Sequence, residues 1–277
     1  MNYGKTIELF LVDGSADGIV TAELSNWNGK AVRIPRTEVT SCKREDVKSA
    51  GVYFLFCKED EKDAVYIGEA ENVLERLNQH LRDYQSAKEE YFWNTAIVFV
   101  GRDLNKALIR YLENRFVEMA RENNRYKVLT KNTYKNTVMK ESQIASMEEF
   151  IGNVKILINT LGYKVLESVP QATDRTVYLY CKGSGGDAKG FVSPNGFTVL
   201  KESVISEHIA PSFESRAKTY FNLRNRLEID GTIENRVFRQ DYEFSAPSAA
   251  SAVILGRSSN GNIDWKTEKG IALKDLS

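Results

Sequence analysis

Histidine occurs only twice in the 277 residues and cysteine three times, at Cys42, Cys57 and Cys181, with no CxxC spacing. So few soft ligands argue against a structural zinc site, and an odd, scattered cysteine count argues against a disulfide framework. An excess of charge of one sign is also missing. Thirty-eight basic residues balance thirty-eight acidic ones, so no global positive field marks a nucleic-acid binder, and any such contact must come from a local patch. No apolar run approaches the roughly 20 residues that span a bilayer, and the stretch Met1–Thr6 lacks the basic flank and apolar core of a signal peptide. The expectation is a reduced, cytoplasmic protein with no membrane partner.

What is present suits packed cores: 42% hydrophobic residues and 10% aromatics, in a chain long enough for two ordinary domains. Short β-type runs at Thr6–Val12, Ile19–Leu24 and Lys30–Ile34 are separated by Asp13-Gly14, Asp17-Gly18 and Asn28-Gly29, dipeptides that favour tight turns. They predict a small β extension over 1–44. Gly51–Phe56 and Ala64–Ile67, on either side of the charged turn Lys58–Asp63, predict a hairpin. Apolar residues at helical spacing, Val73, Leu77 and Leu81, then Leu108, Leu112, Phe116 and Ala120, predict two helices, with a strand at Thr95–Val100 between them. The order β-β-α-β-α fills 45–133. After a polar stretch the pattern resumes with a helix over Met147–Leu161 and strands at Thr176–Cys181, Lys189–Val192 and Gly196–Leu200, so that 134–277 reads as a second, mixed α and β body. The fold class is α+β.

Asn72, Arg76 and His80 are four apart and share one helix face. A guanidinium grips phosphate oxygens in a fork, and an imidazole moves protons near neutral pH, so the pair suits phosphoryl chemistry. Two solvated surface residues would show the same spacing. Tyr53 and Tyr66 flank the Lys58–Asp63 turn and are expected to face each other across the hairpin, although tyrosines in strands ordinarily pack. Glu113, flanked by Lys106, Arg110 and Arg115, reads either as a member of surface ion pairs or as a ligand for a hard divalent ion.

Gly51-Val52-Tyr53, then Tyr66-Ile67-Gly68, then Arg76, His80 and Glu113 resemble, in order, the signature of the GIY-YIG nuclease family, with valine in place of the name's isoleucine. The resemblance covers roughly Gly51 to Asn132 and implies a metal-dependent endonuclease of β-β-α-β-α fold. It implies catalytic roles for Tyr53, Tyr66, Arg76, His80, Glu113 and a late asparagine, Asn132, although Thr130 competes for that position. Substrate contacts are expected from Gly51, Gly68, Asn72 and Arg110. The cofactor implied is one divalent ion, Mg2+ or Mn2+, on Glu113, taken as an exposed carboxylate. The implied partner is nucleic acid, DNA rather than RNA, and a homodimer would suit double-strand cleavage. The competing reading is a non-catalytic nucleic-acid or protein binding module that keeps the nuclease fold.

The flanks carry weaker signals. Trp27 beside Lys30, Arg33 and Arg36 suits either base stacking or the packing of a small sheet. The C-terminal half, with Arg224-Asn225-Arg226-Leu227, Ser245–Ala250 and Gly256–Gly261, resembles a domain of unknown function often attached to such nucleases. There Arg257, Ser258, Asn260, Trp265 and Lys266 offer donors and an aromatic surface for nucleic acid, or simply a packed terminal helix and turn. Arg216, Lys218, Arg224 and Arg226 are a candidate basic face.

Overall fold

A computed structural model describes residues 4–59, 62–131 and 138–276. The chain divides into two compact units, Met1–Ser168 and Val169–Ser277.

The first unit is built on a seven-stranded sheet. Three N-terminal strands, β1 (Ile7–Leu11), β2 (Val20–Leu24) and β3 (Gly29–Pro35), precede the hairpin β4 (Gly51–Glu59) and β5 (Lys62–Ala70). Helix α1 (Val73–Gln85) leads to β6 (Trp93–Gly101), and α2 (Lys106–Asn123) leads to the short β7 (Lys127–Val128). The spatial order is β1-β2-β3-β6-β4-β5-β7, antiparallel throughout except where β7 runs parallel to β5. The central strand β4 is buried on both faces, which is why it reads as a near-continuous apolar run. Its alternate residues go to different cores. Val52, Phe54 and Phe56 join the α2 side with Leu112 and Phe116, while Tyr53, Leu55 and Cys57 join the α1 side with Val73 and Leu77. Each helix begins on an asparagine cap: Asn72 Oδ1 accepts from Glu75 N, and Asn105 Oδ1 from Ala107 N and Leu108 N.

Two expectations about organisation need correction. The N-terminal strands are not a separate β unit, because β3 pairs with β6 along its whole length, from Gly29↔Gly101 to Pro35↔Thr95. Nor does the first body end near 133. Helix α3 (Glu141–Thr160) places Met147, Phe150, Ile151, Val154, Leu157 and Ile158 in the same core as Phe54 and Phe116. The added strands explain this: β2 and β3 present Ala22, Leu24 and Ala31 on the α2 side of a wider sheet, and α3 packs there as a second covering helix.

The second unit contains a four-stranded antiparallel sheet in the order β13-β10-β9-β8 and a two-stranded ribbon, β11-β12. In chain order its elements are β8 (Leu179–Gly183), β9 (Gly186–Ser193), β10 (Gly196–Val199), α4 (Phe213–Arg216), α5 (Lys218–Ile229), β11 (Ile233–Glu234), β12 (Val237–Phe238), β13 (Tyr242–Phe244), α6 (Pro247–Leu255) and α7 (Gly261–Asp264). The alanine-rich α6 is buried from Ala249 to Leu255, its small side chains allowing close packing against the sheet. Among the described residues no helix is long and apolar enough to cross a membrane.

Candidate active site

The hairpin positions two phenols, but not directly opposite each other. β4 and β5 pair as Glu59↔Lys62, so Tyr53 stands opposite Gly68 and Tyr66 opposite Leu55. Tyr53 is five residues before Lys58 and Tyr66 three after Asp63, so pairing centred on that turn sets them two residues apart: they keep one face but are diagonal neighbours. Their rings stack with centroids 6.3 Å apart. Gly68 has a reason here, since a Cβ would collide with the Tyr53 hydroxyl and the Tyr66 ring. Gly51 answers a different need: a Cβ there would meet the Phe99 carbonyl of neighbouring β6.

Helix α1 brings Arg76 and His80 to the phenols. His80 is fully buried, not a solvated surface residue, and its Nε2 lies 2.9 Å from the Tyr53 hydroxyl. Arg76 Nε donates to the same hydroxyl at 3.4 Å, and the guanidinium is within electrostatic reach of Tyr66. The other imidazole nitrogen, Nδ1, lies 2.6 Å from Glu89 Oε1. Tyr91 stacks on Tyr66 at 5.7 Å. Glu89 and Tyr91 were missed in the sequence because they fall in a polar stretch without periodicity.

Burial pushes both phenols above their ordinary range, Tyr53 furthest. For Tyr53 the neighbouring Tyr66 adds to the effect, while Arg76 opposes it for both. Neither phenol is a standing phenolate at neutral pH. A proton acceptor beyond the phenol is therefore needed, and His80 is bonded to one of them.

Glu113 departs from its expectation as an exposed carboxylate. It is 5% exposed, and its Oε2 is buried with no hydrogen-bond partner. Lys106 and Arg110, the neighbours read as its surface partners, turn instead to Glu69, at 2.9 and 3.7 Å, and Arg115 turns to Glu118 and Glu148. Burial raises the Glu113 pKa to about 7, Glu69 adding to the effect while Lys106, Arg110 and Arg76 oppose it. Although α2 packs on the other face of the sheet, Glu113 is within electrostatic reach of Tyr53, Tyr66 and Arg76.

A buried carboxylate oxygen lacking a donor fits a hard cation. Among the described residues no group of three or more His, Cys, Asp or Glu side chains is arranged to hold a metal. The donor set is thus one carboxylate, which suits an ion such as Mg2+ that keeps waters and substrate phosphate oxygens as its other ligands.

Other candidates are occupied elsewhere. Asn72 caps α1, and Asn132 lies outside the described residues. Thr130 is buried, its hydroxyl accepting from Ile67 N and donating to Ile67 O, which ties down β5. Trp27 packs edge-on against Phe150, Arg33 donates to the Ala16 and Gly18 carbonyls, and Arg36 sits among Tyr84, Phe92 and Trp93. In the second unit Trp265 is no stacking surface: it is fully buried against Phe197, and its Nε1 donates to the Pro247 carbonyl. Arg224 is 2% exposed and leaves the candidate basic face.

Comparison with known families gives two matches. Residues 49–135 match the GIY-YIG catalytic domain, and residues 179–277 match a domain of unknown function, DUF4357. No curated protein and no solved structure matches the chain. The chain thus carries the catalytic domain of a nuclease family, followed by a second domain with no assigned activity.

Proposed function

We propose that this chain, with its GIY-YIG catalytic domain, is an endonuclease that hydrolyses phosphodiester bonds in DNA with the help of one divalent cation, magnesium or manganese. The observation that carries the reading is the convergence of Tyr53, Tyr66, Arg76 and His80, with the buried, unpartnered Glu113 oxygen within their electrostatic reach.

In this mechanism a water attacks phosphorus in line with the departing 3′ oxygen. Glu113 would hold the cation, which when bound supplies Lewis-acid stabilisation of charge on the phosphate and the leaving oxygen. Arg76 presents its guanidinium to the non-bridging oxygens and, through Nε, stabilises negative charge on the Tyr53 oxygen. Tyr53 receives the proton of the water and passes its own to His80 Nε2, so that no free phenolate need form in a buried site. Tyr66, stacked on Tyr53 and within electrostatic reach of Arg76, orients water or phosphate.

The test is cleavage of supercoiled plasmid, linear duplex, single-stranded DNA and RNA by the native protein and Glu113→Gln, with magnesium, manganese or chelator. The expected result is cation-dependent cutting of DNA by the native protein alone. Cutting that survives chelation, or that Glu113→Gln retains in full, would remove the metal assignment. Inactivity of the native protein on every substrate would favour a binding module that keeps the fold.

A further inference from the structure

Glu89 lies beyond the end of α1, and its side chain is 15% exposed. Its Oε1 is 2.6 Å from His80 Nδ1, and its Oε2 is buried without a hydrogen-bond partner. His80 has both ring nitrogens committed, Nδ1 to Glu89 and Nε2 to the Tyr53 hydroxyl. An ionised carboxylate only accepts hydrogen bonds, so the proton of a neutral His80 belongs on Nδ1. Nε2 is then a bare lone pair, and the Tyr53 hydroxyl must donate to it. The Tyr53 oxygen is left to accept from Arg76 Nε and from one further donor, an attacking water.

We propose that Glu89 is a positioning residue for the nuclease reaction: it fixes the His80 tautomer that takes the Tyr53 proton, and its charge balances the imidazolium that results. The inference rests on the nuclease reading above and extends it to a residue outside the family signature. As the water oxygen bonds to phosphorus, its proton passes to the Tyr53 oxygen while the Tyr53 proton passes to His80 Nε2. The bond from phosphorus to the 3′ oxygen breaks, and its electron pair leaves with that oxygen. Glu89 stays ionised throughout. A fully buried imidazolium without a countercharge would be costly, which is the physical need that a carboxylate at Nδ1 meets. The same chain of contacts makes Tyr53, rather than Tyr66, the phenol that receives the water proton.

The experiment combines nitrogen-15 NMR of the imidazoles with single-turnover cleavage, on the full chain and its Glu89→Gln and Glu89→Ala variants. With only His80 and His208 in the sequence, a His208→Gln variant assigns the signals. The native protein should show Nδ1 protonated and Nε2 bare, and both Glu89 variants should disturb that state. Glu89→Gln keeps the size and the hydrogen-bonding capacity of the side chain, so a merely structural tie would survive it. The proposal instead expects a drop in the cleavage rate of about 10²-fold or more, with DNA affinity unchanged. Cleavage by Glu89→Gln within about threefold of native would overturn it, as would a native His80 protonated on Nε2. Should the native protein cut nothing, the nuclease reading fails separately, and the tautomer spectra alone still decide whether Glu89 sets the proton on His80.

Discussion

Arg76 in the first unit and Arg224 in the second are both drawn in from the surface, but their partners differ in kind. Arg224, 2% exposed, donates to the backbone carbonyls of Val253 and Ser206, with Glu228 of the same helix 3.8 Å from its Nε, and burial lowers its pKa. Arg76, half-buried, points at two phenols. Carbonyls cannot titrate or move a proton, so the Arg224 bonds hold α5, α6 and the Ser206 segment in one arrangement. Phenols can do both, and the phenol that Arg76 touches also reaches a histidine and, through it, a carboxylate. Burial alone therefore does not mark a functional arginine; the chemistry of what it touches does.

The largest expected effect is at Glu113. Glu113→Gln keeps the volume but removes the carboxylate, and cation-dependent cleavage should fall by about 10³-fold, the upper range for losing one charge-stabilising contact. Single-turnover rates with saturating magnesium measure it. A retained rate would put Glu113 in the class of Arg224, a buried charge serving structure.

Arg224→Met should do the opposite. Two carbonyls lose their donor in a buried setting, costing about 3 kcal/mol of stability in the second unit, read as an earlier urea transition. Cleavage per folded molecule should stay native. A catalytic defect in correctly folded Arg224→Met would erase the contrast between the two arginines.

Between the phenols the expected difference is smaller. Tyr53→Phe should slow cleavage by about 10²-fold and Tyr66→Phe by about tenfold, since only the first removes a proton-transfer step. Equal losses would show that the His80 contact does not single out Tyr53.

Much of this arrangement is legible in the sequence, and the gaps have causes. The helices carrying Arg76 and Glu113 follow from periodicity, because each has one clear apolar face, and β4 around Tyr53 follows from its continuous apolar run between turn signals. The hairpin register does not, since a charged turn leaves open where pairing stops, and a shift of two residues keeps every side chain on the same face. The burial of Glu113 is hidden by Lys106 and Arg110, which look like its partners until the fold turns them to Glu69. Glu89 has no local pattern at all: nine residues from His80, it meets the imidazole only because the chain turns back after α1. The membership of α3 is hidden for a similar reason, as a polar linker looks the same whether the next helix packs forwards or backwards.

The smallest effect concerns the proton on Glu113 when no cation is present. Its pKa is raised from 4.5 to about 7, chiefly by burial. Below about pH 4.5 the folded and unfolded chains both hold this proton, and the group contributes no difference. As pH rises from there to about 7, the unfolded chain gives up a proton that the folded chain retains, so ionisation works against folding; above about 7 the cost is constant. With chelator present, Glu113→Gln should gain stability over the native protein between pH 5 and pH 8, by about 2 kcal/mol once screening by solvent is allowed for. Magnesium at pH 8 should narrow that gap by stabilising the native protein alone. A gap equal at both pH values would mean that the carboxylate ionises freely, and Glu113 would then lose the buried, unpartnered character on which the proposed metal assignment rests.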